Sequence, residues 1–410
     1  MNTYRWLAGL IATWACGAAQ AQSLAEVVRE ALVQYPAVQA ARALAASSDS
    51  ELDRARAARW PVVGIGATAF EQEAVPRRLV ATPQANYTVY AGGGIEAGIA
   101  RAQALQRAAQ GKTASTLDEV GLQAAEAYIA WARQLEIVQL ARENLQALQR
   151  IRDDVRRIVE VDAGRMVDLS QAEVRVNAAA LAVEQREGEL AQAAARLARF
   201  WPRPLPARPQ GLDEEPGGRP ASLGEALAYA RESHPLLAQG LAQAQAAEAA
   251  LTQARAQMRP RVELQLAHQL NPYTLRPGLN TQLQVNMPVF DAGSGAAGVA
   301  AADAQARAAR AAADEQALLV RERITAAWVE WQSALRRQSL HGRQDLAAQK
   351  VVEGYQLQFR LARRSLLDLL NIQAEAYGYS VAAAVAGAET RLARFRLAAA
   401  LAELGRAYGR

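Results

Sequence analysis

The chain has 410 residues, enough for two or three ordinary domains; 51% of it is hydrophobic but only 6% is aromatic. Alanine makes up much of the apolar fraction, and alanine buries little area while being the best helix former, so the composition favours long, closely packed helices over a bulky core. The formal charge of +5 is carried almost wholly by arginine, with lysine only at Lys112 and Lys350. Those arginines are interleaved with Glu, Asp and Gln and form no basic block, which argues against a nucleic-acid partner.

Residues 1–21 read as a signal peptide: Arg5, an apolar run from Trp6 to Ala15, then Ala19 and Ala21 in A-x-A spacing. The run is too short for a membrane span, and nothing beyond it approaches 18 apolar residues. Cys16 is the only cysteine, and "TWAC" lacks the residues that precede a lipoprotein cysteine, so the mature chain is expected to carry no thiol, disulfide or cysteine-ligated metal.

After the leader the chain is written twice. "SLAEVVREALVQYPAVQAA" from Ser23 returns as "SLGEALAYARESHPLLAQG" from Ser222, and Pro61 in "ARAARWPVV" maps onto Pro260 in "ARAQMRPRV". "VYAGGG" from Val89 matches "VFDAGS" from Val289, and Asp168 in "MVDLSQAE" matches Asp368 in "LLDLLNIQAE". Matched anchors in one order and nearly one register make a repeat of about 200 residues, 22–200 and 222–410. The segment 201–221 between them is proline-rich, cannot continue a helix and reads as a semi-rigid connector.

Each repeat is expected to open with one helix of about 36 residues, at 23–58 and 222–258. Ser23 with Glu26 and Ser222 with Glu225 have the spacing of capping boxes. Strands follow at about 61–70 and 85–91, and at about 261–270 and 280–290. Then come helices from about 95 to 157 and from about 295 to 356 with no internal proline, roughly 90 Å long at the usual rise. After a break near Asp168 or Asp368 a further helix of 30 to 40 residues completes each half. Helices of that length pack along one another as coiled coils.

In "RVELQLAHQL" and "TQLQVNMPVF" apolar and polar residues alternate, so each strand has one apolar and one wet face. The first hairpin, rich in Gly and Ala, shows the pattern more weakly. An antiparallel sheet lying on a core and a transmembrane barrel both produce this alternation. The leader, the aromatics near strand ends (Trp60, Phe70, Tyr90, Tyr273, Phe290) and the lack of a spare helix to cover the apolar face favour the barrel. Four strands cannot close alone in lipid, because open edges leave backbone groups unpaired, so the barrel must be shared between protomers. Three protomers would give twelve strands.

"DAGSGAAG" fits G-x-G-x-x-G at Gly293, Gly295 and Gly298, a dinucleotide-binding pattern. Such a turn follows a strand buried on both faces within a βαβ unit, and this strand is half wet. Its counterpart at Gly92, Gly94 and Ala97 fits the looser G-x-G-x-x-[GA] pattern, so Gly92, Gly93 and Gly94, with Gly293 and Gly295, read as the bend from barrel strand to tunnel helix. Pro61 and Pro260 mark entry to the barrel. His234, His268 and His341 are scattered, and no H-E-x-x-H, G-x-S-x-G or complete Walker sequence occurs, so no enzyme, cofactor or metal site is expected.

Across nearly the whole mature chain these features resemble the TolC family of outer-membrane efflux and secretion channels. The resemblance rests on the duplicated half, the "SLAEVVREALVQYPAV" opening, "ARAARWPVV", the paired "VYAGGG" and "PVFDAGS" exits, and "D-L-x-x-x-Q-A-E" after Asp368. It implies a mainly α fold with a small β part: an α-barrel tunnel in the periplasm and four strands per protomer in a shared β-barrel in the outer-membrane lipid. It also implies a homotrimer, a periplasmic adaptor (membrane fusion) protein and an inner-membrane ABC or proton-driven transporter. "LARRSLLDLLNIQAE" resembles members serving type I protein secretion more than those of multidrug or metal efflux.

In the family the two returns of the long helices form the periplasmic tip and its constriction. There the resemblance places Asp368, Asn371, Asp168 and Gln171, with Asn371 standing where members with a constriction ring carry a second aspartate. One carboxylate ring instead of two implies weaker cation binding at the entrance. An alternative reading has Asp168 and Asp368 capping the helices that follow. Gly164, Arg165, Arg363, Arg364 and Ser365 are the candidates for adaptor or transporter contact. The rival to a channel is a soluble periplasmic coiled-coil scaffold, which explains the helices and leader but not the alternating strands.

Overall fold

The computed structural model describes residues 23–72, 75–218, 220–270 and 277–409. The expected signal peptide, Cys16 and Tyr273 lie outside them. The first repeat runs α1 (Leu24–Gln34), α2 (Pro36–Ala57), β1 (Val62–Gln72), β2 (Val75–Tyr90), α3 (Gly94–Val161), a 3-10 turn (Ala163–Arg165) and α4 (Met166–Ala198). The second runs α5 (Leu223–Ser233), α6 (Pro235–Ala256), β3 (Arg261–Leu270), β4 (Pro277–Asn286), α7 (Ser294–Arg360), α8 (Leu366–Ala400) and the short α9 (Leu404–Tyr408).

The opening helix of about 36 residues is in both repeats two helices, a correction to the sequence reading. Tyr35 and His234 precede a proline and take extended ψ values of 132° and 122°, because a proline ring disfavours the helical region for the residue before it. Each proline then occupies the first position of the next helix, where its missing N–H costs nothing. At the start of α1 the full capping box forms: Glu26 N–H donates to Ser23 Oγ and Ser23 N–H to Glu26 Oε2, both at 3.3 Å. The second box is shifted by one residue. Ser222 Oγ accepts from Glu225 N, but Glu225 Oε2 accepts from Ala221 N instead of the cap residue.

The strands differ from expectation at two ends. β2 begins at Val75, ten residues before the expected start, and β4 stops at Asn286, short of Pro288, which has no N–H for a ladder. All pairs are antiparallel in the order β1-β2-β3-β4, so the β2–β3 pair joins the repeats and β1 and β4 are left as edges.

Below the sheet the helices lie in one layer. Near the sheet its order is α2, α3, α6, α7; at the far end it is α4, α3, α8, α7. The cores follow from this layer. One cluster, at mid-height, gathers α1, the middle of α3, the end of α8 and α9 around Tyr128, Trp131 and Phe395. A second joins α5, α7 and α8 at Ile324 and Trp331, and a third sits between the far ends of α3, α4, α7 and α8.

The proline-rich connector is a strap across the layer. Phe200 and Trp201 are buried in the first core. Tyr128 Oη both accepts from Gln210 N at 2.9 Å and donates to Gln210 O at 3.1 Å. Arg391 and Arg394 of α8 pair with Asp213 and Glu215. A single layer with shared cores makes the repeats one unit.

Candidate functional site: transmembrane sheet, junction and tip

Register converts the alternation into two faces. Val63 opposite Ala85, Tyr87 opposite Leu264, and Leu264 opposite Leu283 share one face, with Val262 and Val285 beside them. Nothing covers it: Val63 is 75% exposed, Ile65 77%, Leu283 64% and Val285 61%. The opposite face carries Gln84, Asn86 and Thr88, then Glu263 and Gln265, then Gln282, Gln284 and Asn286. Val62 and Ala267 are apolar exceptions on it. Trp60, Tyr90 and Phe290 are exposed at the helical end of the sheet, where aromatic rings anchor a membrane interface. An apolar face left open with two free edges is stable in lipid only if further strands close it.

At the junction the glycines divide by task. Gly93 and Gly293, directly before α3 and α7, take φ of +88° and +87° with open space around them, so backbone conformation is what excludes a side chain. Gly92, at φ +61°, also lies against α6, where a Cβ would come within 2.7 Å of Arg259 Cβ. Its counterpart is Ala292, held at φ +53°. Gly94 and Gly295 are ordinary helical residues, but a Cβ on Gly295 would meet Asp291 Oδ2 at 2.6 Å. The Asp291 carboxylate accepts from Gly295 N at 2.7 Å and Gly293 N at 3.0 Å, and these bonds hold its pKa below the usual carboxylate range. The amide groups a dinucleotide phosphate would use are therefore occupied by the chain's own carboxylate. Pro61 and Pro260 sit directly before β1 and β3.

The two returns at the far end are built differently. In the first, Asp162 Oδ1 accepts from Gly164 N at 3.1 Å, and the Arg165 guanidinium reaches Asp168 Oδ2 at 2.7 Å. In the second, Ala362 turns the chain at φ +55°, with Ala362 N donating to Phe359 O and Arg363 N to Gln358 O, a left-handed helix end made without glycine. Ser365 Oγ then accepts from Asp368 N at 3.1 Å. The capping alternative for the aspartates is thereby corrected: Asp162 caps the 3-10 turn and Ser365 caps α8, while α4, with Arg165 at its N-cap position, has no side-chain cap. Asp168 and Asp368 lie inside the first helical turn, favoured there by the helix dipole. Arg364 stacks over the Tyr355 ring at 4.2 Å, donates to Gln358 Oε1, and approaches Asp368 Oδ2 at 4.0 Å.

Each tip aspartate thus has an arginine three or four residues before it. Asn371 and Gln171 are exposed on the same helices. Leu366, Leu369 and Leu370 pack with Ile151, Val155 and Phe359 and hold the two returns together. Sequence reasoning chose polar contact residues here and missed the exposed apolar ones: Val161 at 92%, Val167 at 68%, Leu361 at 58%, Leu367 and Met166 at 53%. The available signal was apolar residues flanking a turn with no core partner in reach.

The histidines stay apart: His234 caps α6 through Nδ1 and meets Ala400 O through Nε2, His268 lies on β3 and His341 on α7. Asp153 and Asp154 are surface carboxylates paired with Arg152 and with Arg157 and Arg360. Among the described residues no helix is long and apolar enough to cross a membrane.

The two-faced, open-edged sheet thus stands on a layer of helices about 100 Å long. The sequence model of the outer membrane efflux protein family matches residues 27–201, most of the first repeat. The fold of the whole chain is similar to that of the channel CusC, with 16% identity over 93% of this chain and 92% of that one and a TM-score of 0.81. It is similar to VceC of Vibrio cholerae, with 17% identity over 93% and 96% and a TM-score of 0.77. The outer membrane channel MtrE of Neisseria gonorrhoeae shares 17% identity over 93% and 89%, with a TM-score of 0.78. A search of curated protein sequences finds no match. The fold of the chain is thus that of these outer-membrane channels, and the outer membrane efflux protein model covers its first repeat.

Proposed function

We propose that three copies of this chain close a twelve-stranded barrel in the outer membrane and an α-helical tunnel across the periplasm, forming the exit duct of a tripartite export system. The duct is passive: a periplasmic adaptor and an inner-membrane transporter, ABC-type or proton-driven, bind its tip and supply the energy. The observation that carries this reading is the sheet with one exposed apolar face, one amide-lined face and two open edges. The efflux family domain supports export of small molecules or metal ions, while the type I secretion branch rests on "LARRSLLDLLNIQAE" alone.

At the tip, Asp168 and Asp368 form carboxylate rings tempered by Arg165 and Arg364, and Gln171 and Asn371 extend the same exposed faces. Gly164, Arg363 and Ser365, with the exposed Val161, Val167 and Leu361, form the partner surface. The test is membrane fractionation followed by chemical crosslinking. The duct reading expects detergent-requiring extraction and a trimer; a monomer released into the periplasm without detergent would establish the soluble scaffold instead. Whether an ABC transporter or a proton-driven pump lies in the adjacent genes separates protein secretion from efflux.

A further inference from the structure

The wet face of the sheet runs through Arg261 into a groove of about 880 Å³ between α2, the start of α3 and the end of α6. Four guanidinium groups converge on it: Arg54 from α2, Arg101 from α3, Arg259 from the turn into β3 and Arg261 from the first residue of β3. Two are matched by carboxylates, Arg54 by Glu51 at 2.8 Å and Arg261 by Glu263 at 2.5 Å. Arg259 spends one N–H on Gly92 O at 3.0 Å, and among the described residues no carboxylate pairs with it. Arg101 makes no ion pair among the described residues. Leu44, Ile95 and Leu105 contribute apolar wall beside these charges. Above the groove the Gln and Asn side chains of the sheet carry no charge to offset the excess.

We infer that this groove is a binding site for anionic cargo, a drug-sized molecule bearing carboxylate, sulfonate or phosphate, held just before it enters the barrel. The inference rests on the duct reading, which puts the wet face of the sheet on the water-filled side. Guanidinium groups bind such oxyanions through paired N–H donors and keep their charge at every relevant pH. The groove volume lies within the range of about 300–1,000 Å³ typical of small-molecule sites. A concave, partly apolar wall focuses the field of the unmatched arginines.

Cys16, in the leader, is the only natural cysteine, so an introduced thiol reports alone. Ser47 is exposed and lines the groove. In outer membranes carrying the full chain with Ser47→Cys, an anionic methanethiosulfonate reagent is expected to react faster than a cationic one by about tenfold at low salt, relative to a free thiol. The preference should collapse in high salt and when Arg101→Gln is added, a change that removes no hydrogen bond or ion pair among the described residues. Inorganic pyrophosphate should slow labelling by a neutral reagent at least about threefold beyond sodium chloride of equal ionic strength, since bound oxyanion shields the thiol. Equal rates for the two charged reagents, insensitivity to Arg101→Gln, or no protection by pyrophosphate would each overturn the site. Gln265→Cys and Leu264→Cys test the underlying reading separately: water-soluble reagents should modify the first and spare the second. Modification of Leu264→Cys alone refutes the barrel orientation, whatever the groove does.

Discussion

Helices α3 and α7 are twins by sequence position, 68 and 67 residues long, each beginning after a left-handed glycine. Their surroundings differ. α3 buries nineteen residues and touches α1, α2, α4, α6, α8 and α9, whereas α7 buries nine and touches α5, α6 and α8. α7 exposes Leu318, Val329, Leu340 and Val351. They are spaced eleven residues apart, three turns of a nearly straight helix, so they form one line along its free side. A long helix with half its sides dry and an apolar line on the other is an edge awaiting a neighbour. Duplication copied the element; position in the layer gave one copy a core role and left the other with a bare apolar line.

The strongest way to break this comparison is to charge the free line. Val329→Glu with Leu340→Glu should abolish the trimer, because each apolar side chain is worth about 1.5–3 kcal/mol when buried and the interface recurs three times. Native mass spectrometry in detergent reads this directly. A trimer that survives both charges would mean that α7 faces solvent in the assembly.

A second difference between the twins is Asp118. On α3 it is buried and accepts from Gly405 N at 2.8 Å, gripping α9, while the matching position on α7 is the exposed Leu318. Burial pushes the Asp118 carboxyl up to about 6 from 3.8, against the pull of the Gly405 and Leu404 amides and of Arg406. A raised carboxyl pKa means that folding takes up a proton. The contribution is full below pH 3.8 and lost as pH rises through 6, worth about 3 kcal/mol at most. Denaturant unfolding should therefore show stability falling between pH 4 and 6.5, with Asp118→Asn flattening the slope. Glu403, also raised by burial, leaves a smaller residual slope of the same sign. An unchanged pH profile in Asp118→Asn would remove this carboxylate from the grip on α9.

The glycines before the twins sharpen the comparison further. Gly93→Val and Gly293→Val impose a branched side chain on a left-handed backbone, each costing about 2 kcal/mol. Both should lower trimer yield on a semi-native gel, and neither should alter nucleotide binding, since none is expected. The smallest effect lies at the tip. Ala362→Gly relieves a left-handed alanine that the first return, with Asp162 in its place, does not have. It should raise stability by about 1 kcal/mol, read as a higher midpoint of thermal unfolding.

Much of this was legible in one dimension. The repeat, the long proline-free helices, the alternating strands and the left-handed bends at Gly93 and Gly293 all rest on local patterns of period or conformation. The break at Tyr35 and His234 was legible too, since a proline constrains its predecessor, but the periodic helix on both sides hid it. β2 was read short because Val75–Gln84 combines arginine, proline and alanine in no clean alternation; pairing with β1 makes it a strand. At the tip the sequence shows where the chain returns, while the Arg165–Asp168 pair, the Ser365 cap and the exposed Val161 and Leu361 depend on geometry. The groove of Arg54, Arg101, Arg259 and Arg261 was invisible because its residues come from three elements spread over two repeats.

By itself the sequence determined the kind of element at each place and that it occurs twice, because helix length, strand alternation and turn chemistry are local properties of the backbone. Only the tertiary structure decided which copy is buried and which is bare. Burial depends on neighbours brought from the other repeat, and at the edges of one open layer it depends on the next chain.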